Sequence, residues 1–413
     1  MKIKCPHCGS ENWVFNGHSY IKKSKTKYQR FRCLNCGKEF NEKGLLKQFP
    51  ELDLEMLVEN IKLAKQKQRF QDLNRIERKA FRENARLENA VVEYNKKLIE
   101  VLEKYNLAKF TIKHKNIETK AAGIFHLTDT HFNELVSLPV NKYDFNIASK
   151  RCKLFVDEAR RYFKMKNVKN VLFAITGDLL NSDRRLDELL NEATNRSKAT
   201  FLAVQLIEYM LLDLNKDFNL TVANVTGNES RIGKDISWSN ILATDNYDFT
   251  IFNMLDYLFK NSKGITFVTN VDPLEQVVKV ANKNILLIHG NQISNKNMEQ
   301  SIAKLRGKYA ARNIVVDFVI SAHCHSCRVG DVYARGSSLV GANAYSDRAL
   351  QLTSRASQNI HIIYKTDRID SIKIDLQDTT NIKGYNIQKL LDVYHAKSSD
   401  KVEKQETIFK VVI

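Results

Sequence analysis

The chain of 413 residues is 43% hydrophobic and carries a formal net charge of +18 at pH 7. No stretch contains the roughly 20 consecutive apolar residues that a transmembrane helix needs, and the first residues lack the apolar segment of a signal peptide. We therefore expect a soluble cytoplasmic protein with no membrane partner and room for two or three domains. The positive charge is concentrated in the first 120 residues, which indicates a polyanionic partner; a surface adapted for solubility is the alternative.

Residues 1–49 contain two Cys-x-x-Cys-Gly motifs, formed by Cys5 with Cys8 and by Cys33 with Cys36. Each motif can place two thiolates on one tight turn, and four thiolates complete the tetrahedral site of a structural Zn²⁺. The other three of the seven cysteines are scattered, so the pattern indicates metal binding rather than disulfides. Residues 1–49 are therefore predicted to form a zinc ribbon.

Residues 20–32, between the two motifs, alternate basic side chains with apolar or aromatic ones. This alternation predicts a β-hairpin with one cationic face. The aromatic residues Tyr20, Tyr28 and Phe31 accompany the basic ones, so the face suits phosphate contacts and base stacking. The alternative is a solvated hairpin whose aromatic side chains pack the small core of the ribbon.

Residues 50–120 are predicted to form a helical basic segment and a linker. Residues 51–108 lack glycine and proline, and their apolar residues recur at helical spacing, which favours two or three helices. Arginines crowd the middle of this segment, with acidic residues interleaved. They could line a nucleic-acid path, or they could form a surface of intrahelical ion pairs.

From residue 121 to residue 380, apolar runs of strand length alternate with helical patterns, which predicts an α/β domain. Strands are expected at Ile124–Thr128, Val171–Thr176, Leu220–Val225, Ile265–Thr269, Ile285–Ile288, Phe318–Ser321 and Ile360–Tyr364. Helices are expected at Ile147–Lys166, Leu186–Leu214 and Phe249–Phe259. Residues 381–413 are predicted to form a charged, loosely held C-terminal tail.

Polar residues suited to metal binding follow five of these strands. The motifs are Asp129-x-His131, Gly177-Asp178, Gly227-Asn228-Glu229, His289-Gly290 and His323-x-His325. Each motif alone is weak, but in this order, each after an apolar strand, they resemble the calcineurin-like metallophosphoesterase superfamily from about Gly123 to Tyr364. The resemblance implies a metallophosphoesterase-type β-sandwich flanked by helices.

The resemblance also implies a site for two divalent cations. One cation would be held by Asp129, His131 and His325, the other by Asn228, His289 and His323, with Asp178 bridging the two. Nitrogen and oxygen ligands without thiolate favour Mn²⁺, Fe or Zn²⁺ over Ca²⁺. Two cations about 3.5–4 Å apart can activate a bridging hydroxide and neutralise phosphoryl oxygens.

One position departs from the pattern of the superfamily, in which a histidine usually follows the Gly-Asn pair. Here Glu229 stands in its place, so either the glutamate replaces the histidine or one residue was lost. A glutamate near two cations and a phosphate is ionised and hence a poor acid, whereas Arg231 could bind a phosphate oxygen. The expected catalytic residues are Asp178, Asn228, Glu229, Arg231 and His289. By strand alternation His126 belongs to the core.

These features predict a metal-dependent phosphodiesterase that acts on nucleic acid, in particular a DNA nuclease of the repair or recombination type. The basic ribbon would deliver the catalytic domain to a polynucleotide. Two alternatives remain open. One is a phosphomonoesterase acting on a phosphoprotein or a small phosphate ester; the other is a nucleic-acid-binding protein whose active site is weakened at Glu229.

Overall fold

The structure is a computed structural model that describes residues 4–21, 26–41, 63–72, 107–115, 119–233, 238–269, 272–349 and 354–400, with the single residues 74, 75, 78, 96 and 351. The chain divides into two compact units, Met1–Glu100 and Val101–Ile413. Within the expected helical segment, residues 63–72 are helical, while most of its remainder lies outside the described residues. In the part of the chain that the structure describes, no helix combines the length and the apolar character needed to cross a membrane.

The first unit contains a three-stranded antiparallel sheet. Its strands are β1 (Trp13–Ile21), β2 (Thr26–Cys33) and β3 (Glu39–Asn41). The predicted hairpin therefore corresponds to β1 and β2, and its tip, residues 22–25, lies outside the described residues.

The small core of this sheet contains Phe31, which is 7% exposed. Its ring centroid lies 5.0 Å from that of Trp13 and 5.6 Å from that of Phe40. The expectation that Phe31 offers a surface for base stacking is therefore wrong, because the ring is needed to fill the interior of a very small domain. Phe15, in contrast, presents an aromatic side chain to solvent, since it is 53% exposed.

The second unit contains thirteen further strands among its described residues. They are β4 (Ala121–Leu127), β5 (Val136–Leu138), β6 (Asn141–Tyr143), β7 (Asn170–Ile175), β8 (Asn219–Asn224), β9 (Ile265–Phe267), β10 (Glu275–Val280), β11 (Lys283–Ile288), β12 (Phe318–Ser321), β13 (Arg328–Val329), β14 (Tyr333–Arg335), β15 (Ser357–Tyr364) and β16 (Ile369–Asp375). The helices are α1 (Phe145–Met165), α2 (Leu186–Leu190), α3 (Arg196–Asn215), α4 (Asn240–Thr244), α5 (Tyr247–Phe259), α6 (Met298–Ala310) and α7 (Gln388–Tyr394), with a 3₁₀ turn at Leu107–Lys109 and a π-helical turn at Tyr345–Ala349.

Two mixed sheets pack face to face in this unit. The first has the order β16-β15-β4-β7-β8-β9 and the second the order β10-β11-β12-β14-β13. Ile124 and Ala174 of the first sheet share one buried cluster with Leu287 and Ile320 of the second. Strands β4, β7, β8 and β9 run parallel, as do β11, β12 and β14, so the carboxyl ends of several strands lie along common edges.

Helices cover the outer faces of both sheets. Helices α1, α3 and α5 bury the outer side of the first sheet, where Phe125 and Phe173 belong to the largest apolar cluster. Helix α6 covers the second sheet through Ile302 and Tyr309. Each fully buried side chain of this size contributes roughly 1.5–3 kcal/mol. The predicted sandwich flanked by helices is confirmed.

Some boundaries differ from those expected. The helix expected at Leu186–Leu214 is two helices, α2 and α3, because Asn195 caps the second one by accepting a hydrogen bond from the Lys198 N–H at 3.0 Å. In the expected tail, Ile387 is 2% exposed and Leu391 is 6% exposed, so α7 packs onto the sandwich. Residues 401–413 lie outside the described residues.

Two histidines of the first sheet are fully buried, which agrees with the assignment of His126 to the core. The His126 Nε2 lies 2.7 Å from the Thr176 hydroxyl, and the His361 Nδ1 lies 2.8 Å from the Ser371 hydroxyl. Burial lowers the pKa of His126 from 6.5 to about 4, against the attraction of Asp129. Burial and the charge of His126 hold the pKa of His361 well below its ordinary value.

We expect these histidines to make folding sensitive to acid. Between pH 6.5 and about 4 the unfolded chain binds a proton at His126 that the folded chain does not, so stability falls as the pH falls through this window. The loss amounts to as much as about 3 kcal/mol. Urea unfolding of metal-free wild type and of the His126→Gln variant across this range measures it. The variant should show a shallower pH dependence; identical slopes would contradict the assignment.

Candidate metal centre

The polar side chains that follow β4, β7, β8, β11 and β12 meet at one edge of the sandwich. Parallel strands present their carboxyl ends on a common edge, so their following loops converge there. Several loop residues have a backbone in the left-handed region: Asp129 (φ 43°), His131 (39°), Asp178 (54°), His323 (75°) and His325 (50°). Non-glycine residues in this conformation are costly and concentrate at functional sites.

Asp129, His131 and His325 form the first ligand group, since one ligand atom from each lies within 4.8 Å of the others. The Nε2 atoms of His131 and His325 face each other at 3.1 Å, and the His325 Nε2 lies 3.6 Å from the Asp129 Oδ1. That oxygen is fully buried and accepts no hydrogen bond from the described residues. A buried carboxylate oxygen beside two imidazole nitrogens has the donor set and the unmet charge that fit a divalent cation.

Asp178, His289 and His323 form the second ligand group. The His289 Nε2 lies 3.0 Å from the Asp178 Oδ2 and 3.0 Å from the Asn228 Oδ1. The other ring nitrogen of His289, Nδ1, lies 2.7 Å from the Thr176 carbonyl oxygen and donates to it. This hydrogen bond fixes the tautomer and leaves the Nε2 lone pair directed at the other ligands.

The two groups interlock. The His323 N–H donates to the Asp129 Oδ2 at 3.0 Å, and the His131 N–H donates to the Asp178 carbonyl oxygen at 3.1 Å. The charge of Asp178 raises the pKa of His289 and also acts on His131, so this carboxylate lies where it influences both groups. The structure thus brings together Asp129, His131 and His325, as the resemblance pairs them. It also places the His289 ring beside both Asp178 and Asn228.

Close contact between two ligand loops explains the glycines that precede Asp178 and Asn228. A Cβ on Gly177 would overlap the backbone of Gly227, and a Cβ on Gly227 would overlap the Asp178 carboxylate. Gly177 also has a φ of 90°, which disfavours a side chain. Any larger residue at either position would push the loops apart and displace their ligands.

Asp248 connects these two loops, because backbone N–H groups of both donate to its carboxylate. No motif in the sequence identified this residue. Its Oδ2 accepts hydrogen bonds from the N–H groups of Asp178 (2.9 Å) and Gly227 (2.8 Å), and its Oδ1 accepts one from the Leu179 N–H (2.9 Å). In the sequence it stands in the first turn of α5, where an acidic residue is typical of a helix start. The local sequence therefore gives no indication that Asp248 contacts loops that are distant in the chain.

The side chain of Glu229 has both carboxylate oxygens engaged. Its Oε1 accepts a hydrogen bond from the Asn228 Nδ2 at 2.5 Å, and its Oε2 forms an ion pair with Arg184 at 2.9 Å. Burial and the charge of Asp178 raise the pKa of Glu229, while Arg184 lowers it by favouring the ionised form. With its Nδ2 held by Glu229, the Asn228 amide directs its Oδ1 towards His289. Glu229 therefore positions the Asn228 side chain.

The structure does not bring Arg231 to the cleft beside the two groups. One of its guanidinium nitrogens donates to the carbonyl oxygen of Asn228, within its own loop. Arg184 and Arg196 each donate to the carbonyl oxygens of Glu229 and Arg231. Together with Arg231 itself, three arginines therefore bind the backbone of this loop. Their joint effect is to fix the position of Asn228.

We expect the Glu229→Gln variant to bind a cation at the second group about 10- to 100-fold more weakly, because it loses the ion pair with Arg184 that fixes residue 229 and, through it, the Asn228 amide. Titration of the metal-free protein with Mn²⁺ measures this. The matched control is Glu299→Gln, which removes an ion pair with Arg328 on the surface. Unchanged Mn²⁺ affinity together with loss of the alkaline limb of the pH–rate profile would instead identify Glu229 as a proton donor, because a donor must be protonated to act.

Both ligand groups lie at the floor of an open cleft with a volume of about 1200 Å³. His131, Asp178, His323 and His325 line its floor, and Glu229 reaches it from one side. The walls carry basic side chains: Arg185, Arg348, Arg355 and Lys373. A cleft of this size has room for a ligand larger than a single phosphate group.

A separate four-cysteine cluster lies in the first unit. The Sγ atoms of Cys5 and Cys36 are 3.7 Å apart, and those of Cys8 and Cys33 are 3.6 Å apart. A tetrahedron with Zn–S bonds of about 2.3 Å has edges of about 3.8 Å. The four sulfur atoms therefore fit a structural Zn²⁺ closely, and they lie within 4.8 Å of one another.

No protein-family model matches the chain, and no curated protein does. Several solved structures are similar over part of it. Vps29 of Entamoeba histolytica in complex with Zn²⁺ shares 14% identity at a TM-score of 0.27, covering 62% of this chain and 99% of its own. A predicted phosphoesterase of Streptococcus pneumoniae shares 11% identity at a TM-score of 0.28, covering 65% and 95%. The purple acid phosphatase PPD1 of yellow lupin shares 8% identity at a TM-score of 0.32, covering 72% and 58%. Similarity at this level carries no inference about activity.

Proposed function

We propose that this protein is a metal-dependent phosphodiesterase that cleaves nucleic acid, and that DNA is its substrate in repair or recombination within the cytoplasm. The observation that carries the proposal is the pair of interlocked ligand groups at the floor of the cleft. Their ligand atoms are carboxylate oxygens and imidazole nitrogens, a set that suits Mn²⁺, Fe or Zn²⁺. Such paired sites recur in enzymes that hydrolyse phosphate esters.

Each residue of the centre has a defined part in this proposal. Asp129, His131 and His325 would hold one cation, while His289, His323 and the Asn228 amide oxygen would hold the other. Asp178 would be shared between the two. When bound, two such cations supply Lewis acidity towards phosphoryl oxygens and lower the pKa of a coordinated water.

Hydrogen bonds from neighbouring residues hold these side chains in place. Asp248 fixes the backbone of Asp178, the Thr176 carbonyl oxygen fixes the His289 ring, and Glu229 fixes the Asn228 amide. Rigid ligands held by a second layer of hydrogen bonds favour an arrangement organised before substrate arrives.

Nucleic acid as the substrate is supported by charge. The chain carries +18 overall, and Arg32 and Phe15 are exposed on the sheet of the first unit, where they suit phosphate and base contacts. A zinc ribbon that binds the polynucleotide would raise the local substrate concentration for the catalytic unit.

A substrate panel tests the proposal. Metal-free protein is supplied with Mn²⁺, Zn²⁺ or Fe²⁺ and is offered labelled DNA, labelled RNA, bis-p-nitrophenyl phosphate and p-nitrophenyl phosphate. We expect cleavage of DNA and of the small diester, with the monoester a poor substrate. Preference for the monoester with intact DNA would identify a phosphomonoesterase. Salt-sensitive retention of DNA without cleavage of any substrate would identify a binding protein.

A further inference from the structure

We propose that Tyr345 is a stacking platform for an unpaired base, and that Arg348 and Lys373 bind the phosphates of the same strand, so the substrate of the cleft is a single-stranded polynucleotide. This inference rests on the proposed function, since it names the form of nucleic acid that the metal centre acts on. The cleft contains an exposed aromatic ring, a hydrogen-bonded turn that supports this ring, and two basic side chains that form no ion pair with a described residue.

The ring of Tyr345 is presented at the cleft with 48% of the residue exposed. Arg185 covers it with its guanidinium carbon 5.3 Å from the ring centroid. Arg185 is in turn held by Glu188 at 2.8 Å and by Asp187 at 3.4 Å. A tyrosine backed by a guanidinium group keeps its remaining surface free for a planar partner, and stacked arginine adds a favourable cation–π contribution.

The segment that carries Tyr345 is firmly anchored. It forms the π-helical turn Tyr345–Ala349, an uncommon conformation that is frequent at functional sites. Asn343, just before the turn, donates through its Nδ2 to the Glu134 Oε1 at 2.8 Å. The Asn343 N–H donates to the Ser346 hydroxyl at 2.9 Å, and the Ser346 N–H donates to the Asn343 Oδ1 at 2.8 Å. A base that stacks on this ring therefore meets a surface already ordered.

Some charged side chains that line the cleft form ion pairs with an oppositely charged side chain, and others do not. Asp187 and Glu188 pair with Arg185, and Arg355 pairs with Asp375 at 2.6 Å. Arg348 and Lys373 line the cleft, are exposed, and form no ion pair with any described residue. Arg348 and Lys373 therefore give the cleft lining two exposed cations that have no ion-pair partner among the described residues, which suits successive phosphates of one strand.

A duplex does not satisfy both sets of contacts. Its bases are paired and stacked on each other, so their faces are covered, whereas the bases of a single strand can turn out and stack on a protein ring. A stacked base on an aromatic side chain typically improves binding by about 5- to 150-fold. The combination of Tyr345 with nearby free cations thus selects a single strand.

Steady-state kinetics of the full chain test the platform. The wild type, Tyr345→Ala and Tyr345→Phe are compared on a short single-stranded oligodeoxynucleotide, on the same sequence as a blunt duplex and on bis-p-nitrophenyl phosphate. We expect Tyr345→Ala to raise KM for the single strand about 10-fold or more and to leave kcat within about 2-fold. Tyr345→Phe should match the wild type, because stacking needs the ring and not the hydroxyl, and turnover of the small diester should be unchanged in both variants.

Salt titration tests the phosphate contacts. Arg348→Gln and Lys373→Gln should each lower the slope of log affinity for the single strand against log salt by about one. Lys304→Gln, on α6 and outside the cleft lining, is the matched control and should leave the slope unchanged.

Several results would overturn the platform. They are an unchanged KM in Tyr345→Ala, an equal loss on the small diester, or a wild type that does not favour the single strand over the duplex. Its failure is distinguishable from failure of the proposed function, because binding can be followed without cleavage. Fluorescence anisotropy in the Asp178→Asn background should show weaker single-strand binding for Tyr345→Ala but not for Tyr345→Phe, and equal affinities there would reject the platform even if the wild type cleaves DNA.

Discussion

Replacing Asp178 with asparagine should lower the rate of phosphodiester hydrolysis by about 10³-fold or more. The carboxylate is 1% exposed, and it accepts a hydrogen bond from the Glu229 N–H at 2.7 Å through Oδ1 while its Oδ2 faces His289 at 3.0 Å. Asparagine keeps the shape but removes the negative charge, so it cannot bridge two cations. The assay is turnover of bis-p-nitrophenyl phosphate with saturating Mn²⁺.

A second readout separates loss of the centre from loss of the fold. The Asp178→Asn variant should retain fewer divalent cations per chain in elemental analysis and should unfold cooperatively. Asp317→Asn is the matched control, since Asp317 also accepts a backbone N–H, that of Asn284, at 2.7 Å, and lies outside the site. Activity within about tenfold of the wild type, with full metal content, would show that Asp178 does not bridge cations.

Replacing Cys8 and Cys36 with serine should remove one Zn²⁺ per chain and unfold the ribbon. Few of the described residues form the apolar core of the three-stranded sheet, and structural Zn²⁺ typically supplies about 10–16 kcal/mol to such small domains. We expect DNA affinity at low salt to fall about tenfold or more and the salt slope to become shallower, because phosphate contacts are lost. Turnover of bis-p-nitrophenyl phosphate should be unchanged.

A chain that lacks residues 1–49 gives an independent measurement of the same effect. It should lose the same DNA affinity as the double serine variant while it keeps small-diester turnover. If DNA affinity is unchanged in both, the ribbon has another partner. If small-diester turnover also falls, the ribbon contributes to the catalytic unit itself.

The strands that carry the centre could be predicted because their apolar runs are long and each ends in a polar motif. The expected strand at Phe318–Ser321 coincides with β12, and that at Val171–Thr176 differs from β7 by one residue at each end. Apolar runs of this kind are the clearest sequence signal of parallel strands that are buried on both faces of a sheet.

Contacts between residues far apart in sequence could not be predicted. Asp248 lies 70 residues from Asp178, and Arg184 lies 45 residues from Glu229, so no local pattern reports either contact. The Glu229 carboxylate lies beside that of Asp178, and its ion pair with Arg184 at 2.9 Å favours the ionised form there. The turn that presents Tyr345 is another such case, since its anchor Asn343 binds Glu134 from a distant segment.

The sequence also could not show which side chains of the β1–β2 hairpin would be buried. The alternation of residues 20–32 predicted a hairpin, but it did not determine which face of the sheet would be enclosed. The strand β3 covers Phe31 through the facing Phe40, and β3 is too short to be recognised from sequence alone. Helix α6 escaped prediction for a related reason: it has only three buried residues, so its apolar stripe is weak.

Crystals of the full chain soaked in Mn²⁺ would test the metal centre directly by anomalous diffraction. We predict two anomalous peaks about 3.5–4 Å apart with the Asp178 carboxylate between them, one beside His131 and His325 and the other beside His289 and His323. A single peak, or no peak at these side chains while Mn²⁺ binds elsewhere, would contradict a two-cation centre.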